Sequence, residues 1–211
     1  MNSPVLKREA TGPLSTNCYL LYDVESKEAA LFDIGGPIDT LMSIIEHENL
    51  KMKYIFCTHL HFDHVLGVGA IRELFPEALL AYNQKETAIM ENLGFFAKMF
   101  EFDSKSLGKH DISIEDDQIF SLGNLEIRTI LSPGHSPGSI CFSFEHSLIS
   151  GDVLFNDGIG RTDLFGGSFE ELEKSILKLY KFSDKTLVFP GHGDETTIGK
   201  EKRNNPFVSF K

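Results

Sequence analysis

Three histidines and one aspartate lie within six residues of this sequence, at His59, His61, Asp63 and His64. Crowding so many titratable side chains together is unfavourable unless another charge offsets their interactions. A bound metal cation is the simplest such charge. Side chains two positions apart on an extended segment point the same way, so His59 and His61 can face one point. The turn that follows can direct Asp63 and His64 towards a second point nearby. The spacing therefore predicts two metal ions side by side.

The elements on either side indicate how this cluster is positioned. The apolar run at 54–57 is typical of a buried strand, and residues 65–75 favour a helix that ends before Pro76. The cluster thus lies where a strand ends and a helix begins, which is where α/β proteins keep functional residues. A strand at 78–82 and a helix at 84–93 continue the alternation, which indicates the α/β class.

Further candidate ligands follow other predicted strands. His135 lies in a run of turn residues, Asp152 follows a strand at 148–150, and His192 follows a strand at 186–189. Together with the first cluster they supply five imidazoles and two carboxylates. This donor set suits two divalent ions. Zinc fits it best, and iron and manganese are the alternatives.

Composition limits the class of protein further. The 211 residues are 41% hydrophobic and 24% charged, which is ordinary for a globular protein and predicts one domain over 1–211. A formal net charge of −11 argues against a nucleic-acid partner, because phosphate binding needs a concentrated positive surface. No apolar run suits a membrane span or a signal peptide, so we expect a cytoplasmic protein with a small-molecule substrate. Cys18, Cys57 and Cys141 have apolar neighbours and are expected to be buried free thiols.

Four motifs together resemble the metallo-β-lactamase superfamily: HxHxDH at 59–64, PGHS at 133–136, GD at 151–152 and PGHG at 190–193. The resemblance implies an αββα fold, in which two mixed β-sheets pack face to face with helices on the outer faces. It also implies which side chains hold each ion: His59, His61 and His135 the first, and Asp63, His64 and His192 the second, with Asp152 bridging both.

Two further stretches resemble the glyoxalase II (hydroxyacylglutathione hydrolase) branch, Gly160–Asp163 and Thr196–Pro206, particularly its short bacterial and archaeal members. The resemblance implies a thioesterase that acts on S-(2-hydroxyacyl)glutathione or a related thioester through a metal-bridging hydroxide. Asp63 and Asp152 are then the catalytic carboxylates. The chain continues for 19 residues beyond His192, to residue 211, so we expect no C-terminal helical domain of the kind that full-length glyoxalase II has.

Four polar residues outside the motif core have two interpretations each. Asp33, before a glycine pair, is either a turn residue or a carboxylate that orients a metal-binding histidine. Arg161 either binds a substrate carboxylate or pairs with a neighbouring aspartate. Lys200 and Arg203 either bind an anionic substrate tail or form part of a solvated surface.

The segment 94–110 also has two interpretations. The segment contains Phe95, Phe96, Phe100 and Phe102, and it is either a lid over the metal site or a loop packed by its own aromatic side chains.

Two other activities of the same superfamily are alternatives to the thioesterase. A persulfide dioxygenase with one iron, held by two histidines and an aspartate, shares the expected fold and is the first alternative activity. A lactonase of the same superfamily is the second.

Overall fold

Two six-stranded β-sheets form the centre of the fold. The computed structural model describes residues 4–92, 98–99 and 106–209. In the first sheet the strands follow chain order, β1 to β6. The first three pair antiparallel and the rest pair parallel. Their bounds are Val5–Thr11, Thr16–Tyr22, Glu28–Phe32, Lys51–Phe56, Leu79–Tyr82 and Ile112–Ser113.

The second sheet has the order β14-β13-β10-β9-β8-β7. Only β10 and β13 run parallel in it, and the other neighbours are antiparallel. A short separate hairpin, β11 and β12, leaves the sheet after β10. From β7 to β14 the bounds are Ile119–Leu122, Leu125–Leu131, Ile140–Phe144, Ser147–Gly151, Leu154–Phe155, Gly158–Ile159, Leu187–Pro190 and Thr196–Thr197.

The described helices connect or follow these strands. The α-helices, α1 to α5, span Asp39–His47, Phe62–Val65, Val68–Leu74, Phe169–Leu179 and Ile198–Asn204, and a 3₁₀ helix spans Gln84–Asn92. The last two α-helices begin at hydroxyl caps that accept a hydrogen bond from the backbone of the first turn, namely Ser168 and Thr197.

Three apolar layers stabilise this arrangement. Side chains of α1 and α3 pack on one face of the first sheet, and α4 packs on the outer face of the second through Leu172 and Ile176. Between the sheets lies an aromatic core. There the Phe56 ring is 5.0 Å from the Phe32 ring and 4.9 Å from the Phe142 ring, measured between centroids. Two mixed sheets with helices outside form the αββα sandwich, so the predicted fold is confirmed.

The helix predicted over 65–75 is wrong in its bounds, because two helices occupy 62–74 with a break at Gly67. The break has a tertiary cause. The Gly67 N–H donates to the Ile34 carbonyl at 2.8 Å, and a Cβ on Gly67 would lie 2.6 Å from the Gly36 carbonyl oxygen. The backbone after β3 therefore packs directly against this turn, and the helix cannot pass through it unbroken.

Other sequence expectations have mixed outcomes. The three cysteines are free and buried, as predicted. The apolar and turn patterns of the sequence did not predict the strands β1, β6, β11, β12 and β14 or the helix α5. The lid prediction rests on Phe95, Phe96, Phe100 and Phe102, which lie outside the described residues. Among the residues that are described, no helix combines the length and apolarity needed to cross a membrane.

Candidate metal centre

Four strand ends from both sheets deliver the predicted ligands to one place. The segment 59–64 follows β4 of the first sheet, whereas His135, Asp152 and His192 follow β8, β10 and β13 of the second. The backbones meet directly, because the Ile140 N–H donates to the Thr58 carbonyl at 2.8 Å. The donor atoms of all seven predicted side chains therefore lie close together, where these strands end.

Three imidazoles form the first group of donor atoms. His61 Nδ1 lies 2.8 Å from His135 Nε2, and His135 Nε2 lies 3.2 Å from His59 Nε2. The donor atoms of all three lie within 4.8 Å of one another. A single cation can be reached by all three nitrogens.

Two imidazoles and a carboxylate form the second group. Asp63 Oδ2 lies 3.2 Å from His192 Nε2 and 3.6 Å from His64 Nε2. The Thr16 hydroxyl donates to the same oxygen at 3.1 Å. The short helix α2 presents Asp63 and His64 from consecutive positions, so the turn after β4 does direct these two side chains to a second point.

Asp152 lies between the two groups. Its Oδ2 atom is 3.6 Å from His135 Nε2 in the first group and 3.6 Å from His192 Nε2 in the second. Its Oδ1 atom is 3.3 Å from His64 Nε2. One carboxylate thus contacts both groups of donors, which is the placement a bridging ligand needs.

Hydrogen bonds on the far side of the rings set the tautomer of three histidines. The Thr58 hydroxyl donates to Asp33 Oδ2 at 2.8 Å and lies 3.0 Å from His59 Nδ1, so it accepts from that ring. Asp33 Oδ2 also accepts from His64 Nδ1 at 3.0 Å, and the Arg161 carbonyl accepts from His135 Nδ1 at 2.8 Å. With Nδ1 protonated, each Nε2 lone pair is left facing the centre.

Two atoms of the centre test whether a cation fits. His64 Nε2 and Asp152 Oδ1 are buried and have no hydrogen-bond partner among the described residues. Such orphaned acceptors are costly when buried, and a metal cation bound between them satisfies both. Imidazole and carboxylate donors in these proportions suit zinc, iron or manganese. The residues present therefore fit a metal centre.

The electrostatics of the imidazoles differ across the centre. Burial, with a further contribution from the His135 ring, lowers the pKa of His61 to about 4. Burial also lowers the pKa of His59 well below its usual value. Burial opposes the charged form of His64 too, but Asp152, Asp33 and Asp63 outweigh it and raise that pKa. The three-histidine group is thus neutral and ready to bind a cation at neutral pH.

The carboxylates stay ionised despite their burial. Burial would raise the pKa of Asp63, but the His64 and His192 imidazoles lower it below its usual range. The same competition, led by His64, lowers the pKa of Asp152. Both side chains therefore act as anionic acceptors at neutral pH.

A cavity of about 630 Å³ opens onto this centre. On one side it reaches His61, Asp63, Asp152 and the two neighbouring histidines. Its other walls are mainly apolar: Leu14, Phe62, Ile89, Phe155, Ile159, Leu164 and Phe165. A volume of this size holds a small organic substrate, with its reacting group at the polar end.

The three predicted substrate contacts are placed differently. Arg161 lines the cavity, but its guanidinium forms a two-point ion pair with Asp163, at 2.7 and 2.8 Å. Lys200 pairs with Asp157 at 2.8 Å, and Arg203 pairs with the Asp184 carboxylate at 3.1 Å. Neither of the latter two lies among the described residues that line the cavity. Their surface ion pairs match the solvated alternative.

Sequence reasoning missed several residues that the structure brings to the centre. Thr16 contacts Asp63 from the start of β2, two residues before the strand start that the sequence indicated, and Glu86 contacts the backbone of the loops that carry His59, His61 and His135. The Arg161 carbonyl, rather than its side chain, touches His135. Little in the sequence indicated these roles. Glu86 is one acidic residue in a helix, and a contact made by a backbone carbonyl does not depend on the residue type at that position.

With this geometry in place, comparison with known proteins gives the family. The chain matches the description "Metallo-beta-lactamase superfamily" over residues 11–192. It belongs to that superfamily, which binds divalent metals, and it is a metal-dependent hydrolase of that class.

Three similar proteins cover nearly the whole chain. Hydroxyacylglutathione hydrolase GloC of Haemophilus influenzae is 37% identical over 92% of this chain and 93% of its own length. The solved structure of BLEG-1 B3 metallo-beta-lactamase has 35% identity and a TM-score of 0.87, covering 98% of this chain and 100% of that one. The structure of TTHA1623 in a di-iron-bound form has 29% identity and a TM-score of 0.83, with the same two coverages.

Proposed function

We propose that this chain is a binuclear metal-dependent thioesterase of the hydroxyacylglutathione hydrolase type. The observation that carries the proposal is the position of Asp152, whose Oδ2 lies 3.6 Å from a nitrogen of each ligand group. Two groups that share one carboxylate suit two ions close together. The di-iron form of a similar structure supports the same number.

We assign the first ion to His59, His61 and His135 and the second to Asp63, His64 and His192, with Asp152 shared. Zinc is our first choice of metal because a centre with five imidazole and two carboxylate ligands suits it, and iron is the main alternative. When bound, the pair supplies a water of lowered pKa and polarises the carbonyl oxygen of the substrate. The chain's own residues then determine which substrate is presented and how.

Asp63 is the carboxylate we expect to orient the attacking water. Its pKa is lowered by His64 and His192 against the effect of burial, so it remains a hydrogen-bond acceptor at neutral pH. Its Oδ2 already accepts from the Thr16 hydroxyl at 3.1 Å, which restrains the side chain. A fixed acceptor at the polar end of the cavity aligns a water with a substrate carbonyl.

The chemistry of the leaving group favours a thioester as the substrate. A thiol has a pKa of roughly 8.5 and departs as thiolate without a strong general acid. In the described part of the cavity wall, the side chains beyond the metal ligands are apolar apart from the paired Arg161, so the wall supplies no obvious acid. The name of the GloC relative supports an acylated glutathione as the substrate. We place the reaction in the cytoplasm, where three buried free cysteines remain reduced.

Turnover by zinc-loaded protein tests the proposal. We expect hydrolysis of S-lactoylglutathione to exceed that of a lactone or of a β-lactam, the latter included because of the similarity to BLEG-1. Asp63→Asn should lose at least about 10²-fold in kcat, whereas Asp157→Asn, at an exposed turn, should retain activity. Lactone turnover without thioester turnover would favour the lactonase. One iron per chain with oxygen uptake on glutathione persulfide would favour the dioxygenase.

A further inference from the structure

Glu86 is a fully buried carboxylate that joins two loops of the metal centre. It lies in the 3₁₀ helix after β5, and it is not among the grouped metal ligands. Its Oε2 atom accepts from the Leu60 N–H at 2.9 Å. Its Oε1 atom accepts from the Gly138 N–H at 2.6 Å, and Ser136 supplies a further side-chain hydrogen bond.

These contacts are specific to one of the two ligand groups. Leu60 separates His59 from His61, and Ser136 and Gly138 lie one and three positions after His135. The three histidines of the first group are thus on loops from different sheets, and one carboxylate holds both loops by their backbones. By contrast, the ion-pair contacts of His64 and His192 are with Asp33, Asp63 and Asp152.

We propose that Glu86 is a positioning residue that sets the spacing of the three-histidine group and thereby the affinity of the first metal ion. It acts through backbone hydrogen bonds and touches neither metal nor substrate. Two carboxylate oxygens can each accept a hydrogen bond, which is what two inward-pointing N–H groups require. The inference rests on the metal centre of the proposed function but is independent of its substrate.

The neighbourhood of Gly138 supports a built contact. A Cβ on Gly138 would lie 3.0 Å from Glu86 Oε1 and 2.8 Å from Asn83 Oδ1. Any larger residue at this position would therefore displace the Asn83 or Glu86 side chain and disturb the contact. The 3₁₀ helix that presents Glu86 is held in turn, because Asn83 Nδ2 donates to the Ile114 carbonyl at 2.7 Å.

Glu86→Gln tests the inference with little change of shape. The amide keeps one accepting oxygen but turns an –NH₂ group towards the second backbone N–H, so one loop loses its bond. Cobalt(II) binding to metal-free protein is measured by equilibrium dialysis and by visible absorption. We expect two ions in the wild type. In the variant, the affinity of one ion should fall about 10-fold or more, and the spectrum of the remaining ion should match that of His61→Asn rather than His192→Asn.

Glu201→Gln is the matched control. Glu201 is also fully buried, and it accepts from Thr196 Oγ1 at 2.6 Å and Asn205 Nδ2 at 2.9 Å, in contacts separate from the histidine loops. We expect this variant to lose stability in urea yet bind both ions with wild-type affinity. Glu86→Gln should lose metal affinity, and excess cobalt should restore its second ion.

If Glu86→Gln fails to fold, Gly138→Ala disturbs the same contact from the other side, and the same selective loss is expected. Wild-type affinity for both ions in either folded variant would overturn the inference. So would an equal loss of both ions, or an equal loss in Glu201→Gln. Failure of wild-type protein to bind two ions would instead refute the proposed metal centre itself, whereas failure of thioester turnover would leave the inference standing.

Discussion

Replacing Asp33 with asparagine should weaken metal binding by reversing one histidine tautomer. Asp33 has a φ of +51°, a conformation that asparagine also adopts readily. Asp33 Oδ1 accepts from the Thr58 N–H at 2.8 Å, and its Oδ2 accepts from His64 Nδ1 at 3.0 Å. In the variant, the remaining oxygen accepts from the Thr58 N–H, and the –NH₂ group faces His64 and also the Thr58 hydroxyl, which donates to Oδ2 in the wild type. His64 must then carry its proton on Nε2, the nitrogen that points into the centre.

The magnitude follows from the contact that is lost. A hydrogen bond to a charged group is worth about 1.5–3 kcal/mol, which corresponds to roughly 10- to 150-fold in affinity. Outer contacts of metal-binding histidines typically change affinity by about 10- to 100-fold, so the two arguments agree. We expect Asp33→Asn to weaken metal binding within that range, most directly for the ion held by His64, because His59 is held to Asp33 only through the Thr58 hydroxyl.

Competition against a chromophoric chelator measures the zinc affinity of both proteins. Asp23→Asn is the control, because Asp23 is also buried but accepts from the backbone of Glu25, Ser26 and Asn124 at a distant turn. It should lower stability without changing zinc affinity. Wild-type affinity in folded Asp33→Asn would show that the tautomer of His64 is not controlled as described.

Three further predictions concern stability and substrate binding. Burial lowers the pKa of His61 in the folded protein to about 4, so below pH 6.5 the unfolded state binds a proton on His61 that the folded state does not bind. Through His61, metal-free protein should therefore lose up to roughly 3 kcal/mol of stability as pH falls from 6.5 to 4. His61→Asn should make that slope shallower in urea titrations, with the remainder due to the lowered pKa values of His59 and His135, and an unchanged slope would contradict the assignment. Phe32→Ala should cost about 3–5 kcal/mol in urea unfolding, because Phe32 is fully buried between two aromatic rings; a loss below about 1 kcal/mol would contradict the inter-sheet core. Arg161→Gln keeps the backbone carbonyl that holds His135 but removes the guanidinium from the cavity wall. Zinc affinity should therefore stay at the wild-type value, while KM for a carboxylate-bearing thioester rises. Lys200→Gln should change neither quantity, and a rise in its KM would revive the predicted role of Lys200.

The sequence predicted the candidate ligands from local pattern and one topological rule, whereas their division between two ions came from the resemblance to the metallo-β-lactamase superfamily. The buried run at 54–57 and the strand before His192 identify strand ends, and such ends meet at one edge of a sandwich. The two-position spacing of His59 and His61 then directs both side chains to one point. None of this requires knowledge of contacts distant in sequence.

The missed features all depend on distant contacts. Glu86 lies 26 residues from Leu60 and 52 from Gly138, and nothing in its own helix distinguishes it from a surface acid. The helix break at Gly67 arises from the backbone at 34–36, which local propensity does not include. The pairing of Arg161 with Asp163 depends on side-chain geometry that the sequence does not show, and Arg161 also lines the cavity, so its role in substrate binding stays a prediction.

Anomalous X-ray scattering from crystals of the metal-loaded protein tests the central claim most directly. Two peaks should appear, one among the nitrogens of the three-histidine group and one beside Asp63, with Asp152 contacting both. A single peak, or metal bound outside these seven side chains, would contradict the two-ion centre.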